Sequence, residues 1–280
     1  MLTIRRAGNT LQKANVWVKL MIYAESGVGK TWAAVKARKP LVLLTEKNGY
    51  ASAAHSNPDA LILECNTPSE LRNIIMDIRD HESKYLVGKD ENGNELKAEF
   101  DTLVIDSLTE IQRLFKEEIM KNNGRELFSQ QDWGKLADTM RKFIRSIRDL
   151  NCHVVCTALQ DSFIEEATGT RHVKPMFEGR KTQSEILQFF SGCGYLVKRN
   201  TQEDGRSVWK RHLIFDGPSH IVCKPCHPVG GVIEDPNIAE IIDLISGQEK
   251  DIEQSETIKK QKEMPTKKTK TNGRRRSKGE

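Results

Sequence analysis

The sequence has no long hydrophobic run. Hydrophobic residues make up 37% of its 280 residues, and no stretch approaches the roughly 20 apolar residues of a membrane-spanning helix. The first ten residues, MLTIRRAGNT, also lack the apolar core of a secretory signal. We therefore expect a cytoplasmic protein with no membrane partner.

Cysteine is scarce and dispersed, with six residues along the chain. Cys152 and Cys156 lie in or beside an apolar run, which is typical of buried, reduced thiols and not of a disulfide framework. Cys223 and Cys226 form a C-x-x-C spacing next to histidines. Zinc usually takes four ligands in two spaced pairs, so both a zinc site and a turn with reduced thiols stay open here.

Most of the chain has no excess of either charge. The whole sequence has 44 Lys/Arg and 39 Asp/Glu, a net charge of +5. Residues 249–280 contain 11 and 6 of these, also a net of +5, which leaves 33 and 33 for residues 1–248. A segment with so much charge and so little apolar content cannot bury enough surface to fold. We predict a folded domain over 1–248 and a disordered basic tail over 249–280.

What the sequence does contain is a glycine-rich turn between an apolar strand and a helix. The segment 18–34 reads VKLMIYAESGVGKTWAA, and such a turn aims backbone N–H groups at a polyphosphate. Lys30 would reach the β- and γ-phosphates, and the Thr31 hydroxyl would bind Mg²⁺. Ala24 replaces the usual first glycine of this pattern. The residues expected to bind the nucleotide are Glu25, Ser26, Gly27, Val28, Gly29, Lys30 and Thr31.

Strand and helix patterns alternate after this turn, which predicts a mostly parallel sheet with helical crossovers. Short apolar runs predict the buried strands and helical spacing predicts the helices. Two antiparallel hairpins are expected as well, of which the first, 84–100, could instead be an exposed insertion. The predicted strands are 41–44, 60–64, 102–106 and 153–159; the helices are 31–39, 67–81, 108–121, 133–150 and 236–245; and the hairpins are 84–100 and 187–215.

The strand 102–106 ends in an aspartate, Asp106. A carboxylate at a strand tip beside a phosphate-binding loop holds Mg²⁺ directly or through water. Paired with the loop about seventy residues earlier, Asp106 predicts the second half of a nucleoside-triphosphate site.

Several segments, in this order, together resemble one family: YAESGVGKT, PLVLLTE, DTLVIDSLTE, QQDWGKLADTMRKFIRSIRDLNCHVVCTA and EDPNIAEIIDLI. The set resembles the phage-encoded P-loop ATPases of the RecA-like class, several of which act in single-strand annealing or recombination. The resemblance covers about residues 18–247. It implies a RecA-like α/β fold, to which the hairpin 187–215 adds an antiparallel extension, and it implies ATP and Mg²⁺ as cofactors.

The resemblance also implies catalytic roles. Glu46, at the tip of the strand after the loop helix, would orient the attacking water, and Gln160 would sense the γ-phosphate, with Thr157 as the alternative. Lys30 and Asp106 complete the catalytic set. ATPases of this class often take a Lys or Arg from a neighbouring subunit, for which the candidates are Lys210, Arg211 and Lys224.

The expected partners are single-stranded DNA, further copies of the chain in a homo-oligomer, and a single-strand-binding protein, in the cytoplasm of the host cell. Residues 162–184 are expected to form a loop or irregular hairpin on the ligand side, where basic groups follow phosphates and aromatic rings stack on bases. The tail would add non-specific, salt-dependent binding, although it could equally serve solubility alone. The candidate nucleic-acid contacts are Arg171, Lys174, Arg180, Lys181, Arg274, Arg275 and Arg276.

Two other functions remain open from the sequence. The protein could be a nucleotide-dependent switch or assembly ATPase with a protein partner, whose acidic surface the tail would contact. A nucleotide kinase is less favoured, because Glu46 is placed for water and no acceptor-site arginine pattern is evident.

Overall fold

The computed structural model describes residues 16–46, 49–90, 92–124, 127–179, 185–203 and 206–247. Arg180, Lys181, the three tail arginines and the whole predicted tail lie outside the described residues. The strands are β1 Lys19–Ala24, β2 Pro40–Leu44, β3 Leu61–Glu64, β4 Tyr85–Lys89, β5 Glu95–Glu99, β6 Thr102–Asp106, β7 His153–Ile164, β8 Arg171–Pro175, β9 Gly192–Glu203, β10 Arg206–Ile214 and β11 Val232–Glu234. The helices are α1 Lys30–Ala34, α2 Gly49–Ser56, α3 Pro68–Asp80, α4 Leu108–Asn123, α5 Gln130–Arg148 and α6 Ile238–Ser246.

The main sheet of the described residues has nine strands in the order β11-β10-β9-β1-β7-β6-β2-β3, with β8 paired to β7. The strands from β9 to β3 pair in parallel, and β10, β11 and β8 pair antiparallel. Because β7 pairs in parallel with both β1 and β6, the carboxyl ends of these three strands meet at one edge of the sheet. This edge carries the phosphate-binding loop and Asp106.

The sheet is covered on both faces. Every residue of β1, β2 and β6 is buried, as expected for parallel strands between two helical layers. One core contains side chains of α3, α4 and α5, including Ile75, Phe115 and Phe143. The other contains α1 and α6, including Ala34 and Ile241. The mixed α/β fold with a mostly parallel sheet is therefore confirmed.

The hairpins were predicted correctly in kind. β4 and β5 form a separate two-stranded sheet, and β9 and β10 form the long antiparallel extension. The first strand of that extension begins at Gly192 and not at 187, since residues 185–187 are helical. A side chain at Gly194 would place its Cβ 2.6 Å from Leu213 Cδ1, so the small residue permits the close packing of this hairpin.

Two further predicted boundaries were wrong. Helix α1 ends at Ala34 and not near Pro40, and beyond it Lys36 N and Ala37 N donate to carbonyls three residues back. Side chains from the end of α2, which was not predicted, and from Asn57 bind two carbonyl groups in this region. Ser56 Oγ donates to Trp32 O at 2.6 Å, and Asn57 Nδ2 donates to Val35 O at 2.9 Å. Strand β7 does not end at Leu159 but continues to Ile164, since β8 pairs with its outer half.

None of the helices in the described part is both long and apolar enough to cross a membrane.

Candidate nucleotide site

The phosphate-binding loop connects β1 to α1 and has the backbone that glycine permits. Gly27 and Gly29 have φ values of 76° and 105°, in the left-handed region that side chains disfavour. Helix α1 begins at Lys30, so the free N–H groups of its first turn face the same place as those of the loop. The loop predicted from the sequence is thus built as an anion cradle.

Lys30 lies over this loop. Its Nζ donates to Ala24 O at 3.3 Å and to Glu25 O at 3.1 Å. Partial burial lowers the pKa of Lys30, and the nearby carboxylates of Asp106 and Glu46 oppose that shift. The amine therefore lies within electrostatic reach of both predicted catalytic acids.

Asp106 joins three elements. Thr31 Oγ1, at the start of α1, donates to Asp106 Oδ2 at 2.5 Å, and Thr157 Oγ1, on β7, donates to Asp106 Oδ1. The backbone of Asp106 is held as well, because its carbonyl accepts from Thr45 N at 2.9 Å. Thr31 and Asp106, which are 75 positions apart in the sequence, are thus in direct contact.

Thr31 and Asp106 supply a hydroxyl and a carboxylate, which are the hard oxygen ligands that Mg²⁺ takes in proteins. They fit the metal that the sequence predicts. The described residues contain no group of three or more His, Cys, Asp or Glu side chains that could hold a metal ion. The zinc interpretation of Cys223 and Cys226 therefore gains no support; Cys223 Sγ instead donates to Ile214 O at 3.2 Å.

Glu46 follows β2 at the same edge of the sheet, with an exposed side chain. Its pKa is raised by desolvation and by the neighbouring carboxylates of Glu110 and Asp106, while Arg113 and Lys30 act in the opposite direction. A carboxylate in this position can accept a hydrogen bond from water and orient it.

Gln160 lies within β7 and not at its end. Its Nε2 donates to Glu25 Oε1 at 3.1 Å, and among the described residues its buried Oε1 accepts no hydrogen bond. Arg171 Nη2, on β8, donates to the same Glu25 oxygen at 3.1 Å. One residue of the phosphate-binding loop thus connects directly to both strands of the β7–β8 hairpin.

The opposite face of the β7–β8 hairpin carries a different set of side chains. The Phe163 ring, half exposed, stacks on His172 with centroids 4.9 Å apart and planes at 8°. Lys174 Nζ lies 5.3 Å from the centroid of Phe163 and 3.4 Å from Asp161 Oδ2. Of the predicted nucleic-acid residues, the structure thus places Lys174 on the outward face and Arg171 on the face toward the loop.

The three candidates for a cation from a neighbouring subunit have different contacts. Lys224 Nζ donates to the carbonyl of Phe190 at 2.5 Å, and Lys210 Nζ pairs with Glu234 at 2.6 Å. Arg211 lies on the phosphate-binding loop of its own chain, where its Nε donates to Val28 O at 3.0 Å.

Sequence reasoning missed a second cation on the loop. Lys198 Nζ donates to Gly27 O at 3.3 Å. No local pattern marks Lys198, because its position depends on how β9 pairs with β1 and β10. Only the pairing of Lys198 with Arg211 across the hairpin could have suggested it.

Residues 17–225 match a family profile described as an AAA domain. No protein of curated function matches the chain.

Proposed function

Because the chain belongs to the AAA domain family of nucleotide-binding P-loop ATPases, we propose that it is a Mg²⁺-dependent ATPase of the RecA-like class. The observation that carries this proposal is the 2.5 Å hydrogen bond between Thr31 and Asp106. It joins the phosphate-binding loop to the acidic strand tip in the arrangement that phosphoryl transfer needs.

Each residue of the site has a defined task in this reaction. The loop N–H groups and Lys30 bind and orient the triphosphate, and Glu46 orients the water for attack on the γ-phosphate. Mg²⁺ held by Thr31 and Asp106 would neutralise charge on the phosphates. Gln160 lies on β7, next to the strand that ends in Asp106, and is the residue that would respond to the γ-phosphate.

The test is ATP hydrolysis by the wild type and by Lys30→Ala, with and without Mg²⁺. We expect the loss of one such charge to lower kcat by about 100-fold or more, and removal of Mg²⁺ to abolish turnover. Lys39→Ala, which changes an exposed lysine just before β2, is the control. Normal turnover of Lys30→Ala at saturating ATP would refute the site.

We further propose that the protein binds single-stranded DNA and that this stimulates hydrolysis. The exposed stack of Phe163 and His172, with Lys174 beside it, offers a platform for bases and a cation for phosphates. Phe163 and Gln160 lie on the same strand, β7, so the proposed DNA contact and the proposed response to nucleotide share one element. Asp161 pairs with Lys174, and Glu165 lies 3.6 Å from His172 Nε2. Because these carboxylates weaken the attraction of this surface for phosphates, base stacking is the main source of affinity in this proposal.

The rest of this second proposal comes from the resemblance: a homo-oligomer that acts in phage recombination or replication in the host cytoplasm, alongside a single-strand-binding protein. The alternative is an assembly ATPase with a protein partner. The ATPase rate with and without single-stranded DNA separates the two. We expect stimulation that Phe163→Ala abolishes and that Met76→Ala, an equally exposed residue on α3, retains. A rate indifferent to DNA favours the protein partner.

A further inference from the structure

Two cations of the β9–β10 hairpin contact the phosphate-binding loop from outside. Lys198 and Arg211 are direct cross-strand partners, and both side chains reach the loop. Arg211 Nε donates to Val28 O at 3.0 Å, and Lys198 Nζ donates to Gly27 O at 3.3 Å. The acceptors are therefore the carbonyls of two successive peptide units of the loop.

The position of Arg211 depends on Gly29 and Trp32. A Cβ at Gly29 would lie 2.7 Å from Arg211 Nε, so the guanidinium occupies the space that a side chain would take. The other side of Arg211 is supported by the indole of Trp32, whose centroid is 4.0 Å from Cζ. The guanidinium is thus held firmly against the loop.

This arrangement has an electrostatic cost in the free protein. Like charges directly opposite each other across an antiparallel pair are destabilising. Lys36 adds a third cation, with its Nζ 3.4 Å from the Trp32 centroid. Burial and the charge of Arg211 lower the pKa of Lys36, and Asp235 opposes that shift. A cluster of this kind is favoured when an anion is bound nearby.

The geometry of the peptide bond shows how the two cations act on the site. In a trans peptide the C=O and the N–H of the same unit point in opposite directions. A donor on Gly27 O therefore directs the N–H of Val28 to the other side of the loop, and a donor on Val28 O does the same for the N–H of Gly29. Hydrogen bonds to a carbonyl also polarise the N–H of the same unit.

We propose that Lys198 and Arg211 are positioning residues for the triphosphate, which fix and polarise the N–H groups of Val28 and Gly29 from the outer face of the loop. This inference rests on the proposed ATPase function. It differs from the role of an arginine supplied by a neighbouring subunit, because Arg211 acts on its own chain and on binding. The proposed role of Lys198 and Arg211 also differs from that of a residue that contacts the nucleobase.

The experiment compares wild type, Lys198→Gln and Arg211→Gln in binding ATP and inorganic tripolyphosphate, together with kcat and the thermal unfolding of the free protein. Arg199→Gln is the matched control, since it removes the same charge from the neighbouring position of β9. We expect both Kd values to rise about three- to tenfold, equivalent to about 1 kcal/mol, with kcat at saturation within about twofold of wild type.

A purely structural role would lower the unfolding midpoint. Lys198→Gln instead removes a positive charge from the position opposite Arg211 and should leave the midpoint of the free protein unchanged or higher. If Arg211→Gln weakens binding of ATP but not of tripolyphosphate, Arg211 contacts the nucleobase. If it lowers kcat alone, Arg211 acts in hydrolysis. If Arg199→Gln weakens binding equally, the loss comes from net charge and not from the position of the side chain. Each of these, like unchanged binding, overturns the inference. Failure of the wild type to bind ATP overturns the proposed function itself.

Discussion

Each carboxylate oxygen of Asp106 accepts a hydrogen bond from a threonine hydroxyl, Oδ2 from Thr31 and Oδ1 from Thr157. At the scale of single residues, much of this site could be predicted. The loop residues and Asp106 follow from short patterns, a glycine turn after a strand and an acid at a strand tip. The contact with Thr157 could not, because it requires β7 to lie between β1 and β6, and that order is set by long-range pairing.

Glu46 carries the first prediction. Glu46→Gln should keep ATP binding but lower kcat by about 100-fold, because an amide cannot accept a proton while it orients water. In the wild type, the raised pKa of Glu46 means that the carboxylate protonates at a higher pH than an ordinary glutamate. As the pH is lowered, activity should therefore begin to fall at a higher pH than it would with an unperturbed glutamate.

The measurement is kcat against pH for the wild type, with nucleotide affinity measured alongside for both proteins. Glu64→Gln, at the end of the neighbouring strand β3, is the matched control. An unchanged kcat in Glu46→Gln would remove Glu46 from the mechanism.

At the scale of elements, the type of most elements was predictable, whereas helix α2 and the lengths of α1 and β7 were not. The buried runs of β2 and β6 are recognisable because both faces are covered, so no polar residue interrupts them. Strand β7 exceeds its apolar run because its outer half is stabilised by backbone pairing with β8 and not by burial. Helix α2 has a small-residue sequence, GYASAAHS, without apolar periodicity, so packing against α1 determines it.

The junction of β1 and β7 gives a prediction about stability. His153, at the start of β7, is buried, and its Nδ1 accepts from Val18 N at 3.1 Å. Burial, with smaller contributions from Lys19 and Arg38, lowers the pKa of His153 from 6.5 to about 4. The unfolded chain binds this proton more readily than the folded protein does. The contribution of His153 to stability should therefore be fully present above about pH 6.5 and decline as the pH falls toward 4.

This residue alone should account for a loss of about 3 kcal/mol in the free energy of unfolding over that interval. Urea unfolding at several pH values measures it. His153→Gln, whose amide oxygen can accept from Val18, should show a shallower decline. His55→Gln, on α2, is the matched control, and identical pH dependence in wild type and His153→Gln would show that another group is responsible.

At the scale of the whole molecule, charge is divided unevenly along the chain. Residues 1–248 have 33 residues of each sign, and 249–280 have a net of +5. The candidate nucleotide site and the β9–β10 hairpin thus lie in a stretch of balanced charge, and we expect any general attraction for polyanions to come from the last 32 residues or from local clusters such as Lys198 and Arg211. This division is a property of composition and was available from the sequence.

Removal of residues 249–280 should therefore separate two activities. We expect hydrolysis without DNA to be unchanged, while affinity for single-stranded DNA falls. The dependence of that affinity on salt should also become weaker, by about 0.7 in log–log slope for each phosphate that the tail neutralises in the full-length protein. Binding measured by fluorescence anisotropy at several salt concentrations tests this. A truncated protein with the wild-type affinity and slope would assign DNA binding to the folded domain alone.

The pleat of β7 has one more consequence. Successive side chains of a strand point to opposite faces, so Gln160 and Ser162 share the face that contacts Glu25 and Arg171, while Asp161 and Phe163 share the other. In β7, the side chains that face the phosphate-binding loop thus stand at even-numbered positions and the outward-facing side chains at odd-numbered positions. Inserting or deleting one residue between 157 and 160 would exchange the two sets, whereas a change of two residues would preserve them. Changes of an even number of residues in this strand should therefore preserve the division between its two faces.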